Sequence, residues 1–399
     1  MPKNKRPVAR KSANAPEVKD EQQTTDLCAL ALDLADESAS GDIVSAATRA
    51  ELAQKHIDFQ RLLRRLLAQG KNEVLYGAIE MARDESLDGY RYLRAAVEEG
   101  AANLILRREN GLELEIDAFA IPVFVHSQGG LDPAADFQDS DAYDALLHSF
   151  TEAGLESPKA QVVLVSHAYD LGEIERIHYG QLHAMVREAA QSLTDKKIAA
   201  APALERSLAA GWSPTSFGAD DTAVELRFLL GFALKRSDDA FYKVPAGEKA
   251  ADAYFAQRAE RYQKWTEDYA PLVARCLGRA RDAAQSAGPE LTLNFLYQDL
   301  FFGARAQGQS EHDMLHLLST LNQALAGHDP AQVQAVVAPS EDEDDPLLRV
   351  QLSQGGTPLA AAGKPLDPAA DLALALEDLA DALNSLGITD ISVSADPLS

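Results

Sequence analysis

The sequence predicts an α+β fold, an N-terminal helical subdomain followed by two mixed strand–helix units. Three observations carry this. Apolar residues recur at 3/4 spacing from Thr25 to about Arg108, the period of a helix that buries one stripe. At Leu112-Glu113-Leu114-Glu115-Ile116-Asp117-Ala118 the period drops to two, the mark of a strand with one buried face and one wet face. Beyond that point strand-like and helix-like segments alternate, and only Val162 to Val165 is the continuous apolar run that a buried parallel strand requires. The expected organisation is a disordered basic tail over 1–24, a helical subdomain over 25–108, a first α+β unit over 109–192, a linker over 193–221 and a second α+β unit over 222–399.

The first helix uses Leu27, Leu30, Ala31 and Leu34, and Ser40-Gly41 breaks it. A second, from about Ser45 to Gln69, sets Leu52, Phe59, Leu62, Leu63, Leu66 and Leu67 on one stripe; Gly70 is placed to end it in a left-handed conformation, and Asn72 to cap the next. The third uses Val74, Leu75, Ala78 and Ile79, and a fourth runs from about Ser86 to Leu106. Short connections imply antiparallel neighbours. The first strand continues through Ile121-Pro122-Val123, where Pro122 argues for an edge or a break because it has no N–H to give a ladder. A helix over Ala142–Ala153, a strand over Gln161–Val165 and a helix over Tyr179–Ser192 complete the first unit.

The second unit opens with the strand Val224–Leu230 and a long helix over Glu248–Cys276 that carries Tyr254, Phe255, Tyr262, Trp265 and Tyr269. The strand Leu291–Tyr297, a helix over Ser310–Leu325 and strands at Gln332–Ala338 and Leu348–Leu352 follow, with a turn at Gly355-Gly356. The last helix steps through Leu372, Leu376, Leu379, Leu383 and Leu386, with Asp367 as its cap, Pro368 in its first turn and Gly387 at its end; Ile388–Val393 is a final strand. Both units open alike, Leu112-Glu113-Leu114-Glu115 against Val224-Glu225-Leu226-Arg227, which raises a diverged duplication of a ferredoxin-like unit with helices on one side of its sheet.

Net charge is −25, unevenly distributed. Residues 1–19 carry Lys3, Lys5, Arg6, Arg10, Lys11 and Lys19 against Glu17, a net +5 that leaves −30 on the rest. An acidic body repels phosphate backbones, so nucleic-acid contact is expected only through residues 1–19, if at all. No apolar run reaches the ~18–20 residues of a membrane helix. Two distant cysteines, Cys28 and Cys276, suit a reducing compartment, so the cytoplasm is the expected location.

Chemistry-bearing motifs are sparse. In Glu311-His312-Asp313-Met314-Leu315-His316, the two histidines share a helix face and could clamp a divalent metal. The spacing is that of a zincin motif, but Asp313 stands where the general-base Glu would be, and no third ligand is identifiable. A surface or core role for these histidines is the competing expectation. His178 and His183 are split around their helix, while His126 and His167 follow apolar strands, where both catalytic residues and simple polar exits occur. Gly129-Gly130 and Gly355-Gly356 lack the spacing that cradles phosphate, no GxSxG elbow is present, and Glu341–Asp345 lacks the spaced ligands of a calcium loop. No catalytic or cofactor-binding residue is therefore assigned.

The opening Asp26-Leu27-Cys28-Ala29-Leu30-Ala31-Leu32 and the segment Ser86-Leu87-Asp88-Gly89-Tyr90-Arg91-Tyr92-Leu93-Arg94-Ala95-Ala96-Val97-Glu98 resemble a bacterial family catalogued as domain of unknown function 2863. The resemblance implies no activity, cofactor or site residue. The expected function is a non-catalytic protein-interaction or regulatory module with a protein partner. The alternatives are a metal-dependent hydrolase using His312 and His316, and nucleic-acid contact through the tail.

Overall fold

The structure, a computed structural model, describes residues 15–40, 46–107, 113–128, 137, 140–194, 222–277, 291–342 and 345–394. Four helices come first: α1 (Ala15–Ser40), α2 (Ala46–Ala68), α3 (Asn72–Glu85) and α4 (Leu87–Ala102). The expected tail of 1–24 is shorter than that, because α1 already begins at Ala15; residues 1–14 lie outside the described residues. What extends α1 is tertiary: Gln23 is buried, and Asp20 pairs with Lys71 at 2.8 Å. Gly70 does close α2, at φ +64°, with Lys71 N donating to the Leu66 carbonyl and Gly70 N to the Leu67 carbonyl. Asn72 does not cap α3; its Oδ1 accepts from Gly180 N at 2.9 Å instead, tying the α2–α3 turn to a distant helix start. The fourth helix stops at Ala102, earlier than expected. Asn103 goes extended and its amide donates to Glu115 and Asp117 across the sheet, so Leu104 belongs to a strand.

That strand, β1 (Asn103–Arg107), joins β2 (Glu113–Gln128), β3 (Gln161–Asp170), β4 (Thr222–Arg236), β5 (Thr292–Phe295) and β6 (Asp299–Leu300) in an antiparallel sheet of order β1-β2-β4-β3. Strand β2 pairs with β4 along its length, and β1, β6 and β5 follow one another along its other edge. The boundary expected at 193–221 thus falls inside one sheet. The two similar openings occur in paired neighbours of that sheet, with Leu114 facing Arg236 and Val125 facing Glu225. Pro122 sits in a central strand, not at an edge. Its carbonyl accepts from Leu296 N, so its missing N–H faces the interval between β5 and β6, where no strand partner needs it.

The expectation of helices on one side fails for this sheet. Residues 118–125 are buried on both faces. On one face Ala118, Phe124, Phe228, Leu230 and Phe232 pack against α1 to α4 and α7 (Tyr179–Thr194). On the other, Phe119, Ile121, Val123 and Leu229 pack against α5 (Ser140–Glu152) and α8 (Glu248–Leu277). Trp265 of α8 is fully buried there, its Nε1 donating to Ser149 Oγ at 2.8 Å. The strict alternation seen in sequence covers only the opening of β2. A short helix, α6 (Leu171–Glu175), follows β3 behind a capping box made by Asp170 and Glu173.

A second sheet is built from β7 (Gln334–Asp342), β8 (Asp345–Gln354), β9 (Thr357–Pro365) and β10 (Asp390–Val393), in the order β10-β7-β8-β9 with β10 parallel to β7. It is covered on one face, by α10 (Leu372–Ser385) and the C-terminal half of α9 (Phe301–Ala324). Gly355 and Gly356, at φ +56° and +82°, form its tight hairpin turn. The acidic run is drawn into the β7–β8 hairpin at Glu341, Asp342 and Asp345; Glu343 and Asp344 lie outside the described residues. Asp371, not Asp367, caps α10, accepting from Ala373 N and Leu374 N at 2.9 and 3.3 Å. Asp367 is engaged earlier, by its own turn and by Arg94.

The two sheets are joined by α9, about 36 Å long at 1.5 Å per residue. Its first half packs on the first sheet through Phe301 and Phe302, and Gly308 meets the Phe228 ring. Its second half enters the other core through Leu317 and Leu321. Among the described residues no helix is long and apolar enough to cross a membrane.

Candidate functional site

His312 and His316 lie on successive turns of α9. His316 is exposed, and His312 is half-buried with Nδ1 3.7 Å from Asp313 Oδ1. Among the described residues no group of three or more His, Cys, Asp or Glu side chains is placed to hold a metal ion. His126 Nε2 accepts from Asn294 Nδ2 at 3.1 Å across the β2–β5 pair. His183 Nδ1 lies 3.2 Å from the Gly100 carbonyl, and burial lowers its pKa below 6.5 against the pull of that carbonyl.

His167 belongs to a buried ionic network at the end of β3. Its Nε2 lies 3.0 Å from Glu173 Oε2, and the same oxygen accepts from Asp170 N at 2.9 Å. Arg227, 1% exposed, crosses to this carboxylate at 3.9 Å and donates to Glu225 Oε2 at 2.8 Å. The network answers the bulge that shifts the β3–β4 register between Leu164 and Ala168. Charges this deep persist when paired and hydrogen-bonded, and these are. Their placement around the bulge and the α6 capping box fits a structural role: they fix the strand exit and the start of α6.

A cleft of about 1030 Å³ runs along the first half of α9, between the helical layer and the second sheet. One wall is aromatic. Tyr76 of α3 and His178 are hydrogen-bonded, Oη to Nδ1, at 3.0 Å, Phe302 lines the wall beside them, and the buried Tyr179 ring packs behind Tyr76 and Phe302. Burial raises the pKa of Tyr76 and Tyr179, keeping both phenols neutral. The opposite wall is α10, which presents Leu374, 59% exposed, together with Asp371, Asp378 and Asp381.

Seven carboxylates and three cationic side chains line the cleft. Of these cations Arg94 is ion-paired among the described residues. Arg94 bonds Glu98 and Asp367, which hold its pKa up against burial; Lys364 donates to Ser310 Oγ at 2.9 Å; and Arg305 lies 5.1 Å from the Phe302 ring centroid. Glu311, Asp378 and Asp381 form no ion pair among the described residues. The cleft is therefore an acidic slot with an aromatic back wall and an exposed leucine at its lip.

The comparisons add no relative. The chain matches no protein-family model, no curated protein and no solved structure. Sequence reading placed His178 and Asp367 but did not bring them to one site, and it missed the slot itself. The sequence signal was the set of acids spaced by 7 and 3, Asp371, Asp378 and Asp381, on the polar side of the leucine stripe of α10.

Proposed function

We propose that this protein is a non-catalytic interaction module and that its binding site is the cleft between α9 and α10. One observation carries the reading: a cavity of about 1030 Å³ combines excess negative charge with an aromatic wall and the exposed Leu374. A cationic peptide with an apolar or aromatic side chain matches those features. The acids attract its charge and steer its approach, while ring faces and Leu374 accept its apolar or aliphatic parts. Phosphate-bearing ligands fit poorly, since seven carboxylates outnumber the three cations of the cleft. The buried Cys28 and Cys276 thiols, each in a different core, support placement in a reducing compartment.

The test is titration of a fluorescent nona-lysine peptide carrying one tryptophan, at low and high salt. Binding that weakens steeply with salt and falls at least tenfold in the D378K/D381K variant supports the reading. Binding unaffected by the double charge reversal removes it. Both aspartates are exposed, so the variant leaves the packing of α10 intact.

A further inference from the structure

We infer that the cleft is occupied in cis by the chain's own N-terminal segment, residues 1–14, which an external cationic peptide must displace. This rests on the reading of the cleft as a cationic-peptide site. Residues 1–14 carry Lys3, Lys5, Arg6, Arg10 and Lys11 with no acid, a net +5, and include the apolar Val8. The acids they would meet are Asp378, Asp381 and Glu311, with Leu374 beside them for Val8 or an aliphatic stem.

The position at which the segment leaves the fold favours this occupant over others. Helix α1 runs beside α3 in the same direction: Asp20 pairs with Lys71 at 2.8 Å, and Thr24 lies against Gly77. Asp20, in the second turn of α1, therefore lies at the start of α3, and α1 begins about 7.5 Å before it. At the start of α3, Gly70 and Asn72 pack on Gly180 at the beginning of α7, with Asn72 Oδ1 accepting from Gly180 N. Two residues before Gly180 is His178, and one turn along α3 from Asn72 is Tyr76, the pair that forms the cleft's aromatic wall. The first described residues of α1 thus lie at the end of α3 that leads to Tyr76. Fourteen residues reach about 45–50 Å when extended, more than enough to cross the cleft to α10.

Tethering raises the segment's local concentration to the millimolar range, so even a weak contact is well populated and competes with outside ligands. The protein would then select partners that are more cationic, or longer in the cleft, than its own segment.

The experiment compares full-length wild type with a full-length variant whose segment charges are neutralised (K3Q, K5Q, R6Q, R10Q, K11Q), titrating each with a fluorescein-labelled peptide of residues 1–14. Occupancy in cis predicts that the neutralised variant binds the peptide about tenfold tighter than wild type, given a millimolar local concentration and a peptide affinity near 100 μM. Adding D378K/D381K to the neutralised variant should abolish that binding. Equal affinity for the two proteins overturns docking in cis and leaves the cleft as a peptide site. Peptide binding that survives D378K/D381K overturns it as well, by placing the contact elsewhere. If the 1–14 peptide fails to bind the neutralised variant while nona-lysine binds, the inference falls alone; if neither binds, the cleft reading falls with it.

Discussion

Removing the Glu173 carboxylate tests the buried network most directly. Glu173 is 2% exposed and accepts from Asp170 N at 2.9 Å and faces His167 Nε2 at 3.0 Å, with Arg227 at 3.9 Å. In Glu173→Ala the Asp170 N–H and the histidine lose their shared acceptor, and Arg227, 1% exposed, keeps Glu225 at 2.8 Å as its close carboxylate. Breaking a buried pair by deleting one partner costs about 3–5 kcal/mol. Because Glu225 remains, the lower end applies, ~3 kcal/mol, which lowers Tm by about 4 °C at ~2.1 cal/mol/K of unfolding entropy per residue over 399 residues. The assay is urea unfolding followed by Trp265 fluorescence in a Trp212→Phe background. A control separates pairing from packing: the double change Glu173→Leu/Arg227→Met removes both charges together and should recover most of the loss. An alanine variant within ~0.5 kcal/mol of wild type, or a double variant no better than the single one, would show that the network does not hold the β3 exit.

Other consequences are independent of that one. Gly231→Ala should destabilise by about 1–3 kcal/mol in the same unfolding assay, because its Cβ would come within 2.3 Å of the Phe119 ring and 2.7 Å of Leu164 Cδ2 in a packed core; a neutral result would show that this core can yield. Burial depresses the pKa of His183 below 6.5, so the unfolded chain binds the proton more readily. Its contribution is complete above pH 6.5 and declines as pH falls from there toward the folded pKa; His183→Gln should flatten that limb of the stability–pH curve, and an unchanged slope would count against it. Burial, with Glu85 nearby, raises the Cys28 thiol, and Cys276 is buried as well, so a disulfide exchange reagent should label both quickly in urea and neither quickly in buffer. For the metal alternative, elemental analysis of protein purified without chelator should find less than a tenth of an equivalent per chain (roughly background), and His312→Ala/His316→Ala should shift stability by less than about 0.5 kcal/mol; a stoichiometric metal lost in that variant would revive it.

The sequence by itself determined those elements whose signals are local. Helical stripes such as Leu62, Leu63, Leu66 and Leu67, the left-handed Gly70, the Gly355-Gly356 turn and the leucine ladder of α10 are each written within a few neighbouring residues, and each is present. The α+β class followed from them. Tertiary structure decided what depends on distant partners. Pro122 sits in a central strand because β5 and β6 leave an interval opposite its missing N–H. Asn72 left its capping role for Gly180, and Asp367 left its own for a turn and Arg94. The first half of α9, with Gly303 and Gly308 in its sequence, has little intrinsic helical preference; Phe301 and Phe302 packed on the first sheet stabilise it as a helix. The cleft belongs to this second kind. Its walls come from α3, the start of α7, α9 and α10, segments roughly three hundred residues apart at the extremes, and no local pattern brings their charges and rings together. Periodicity records which face of an element is buried, and only packing decides what that face meets.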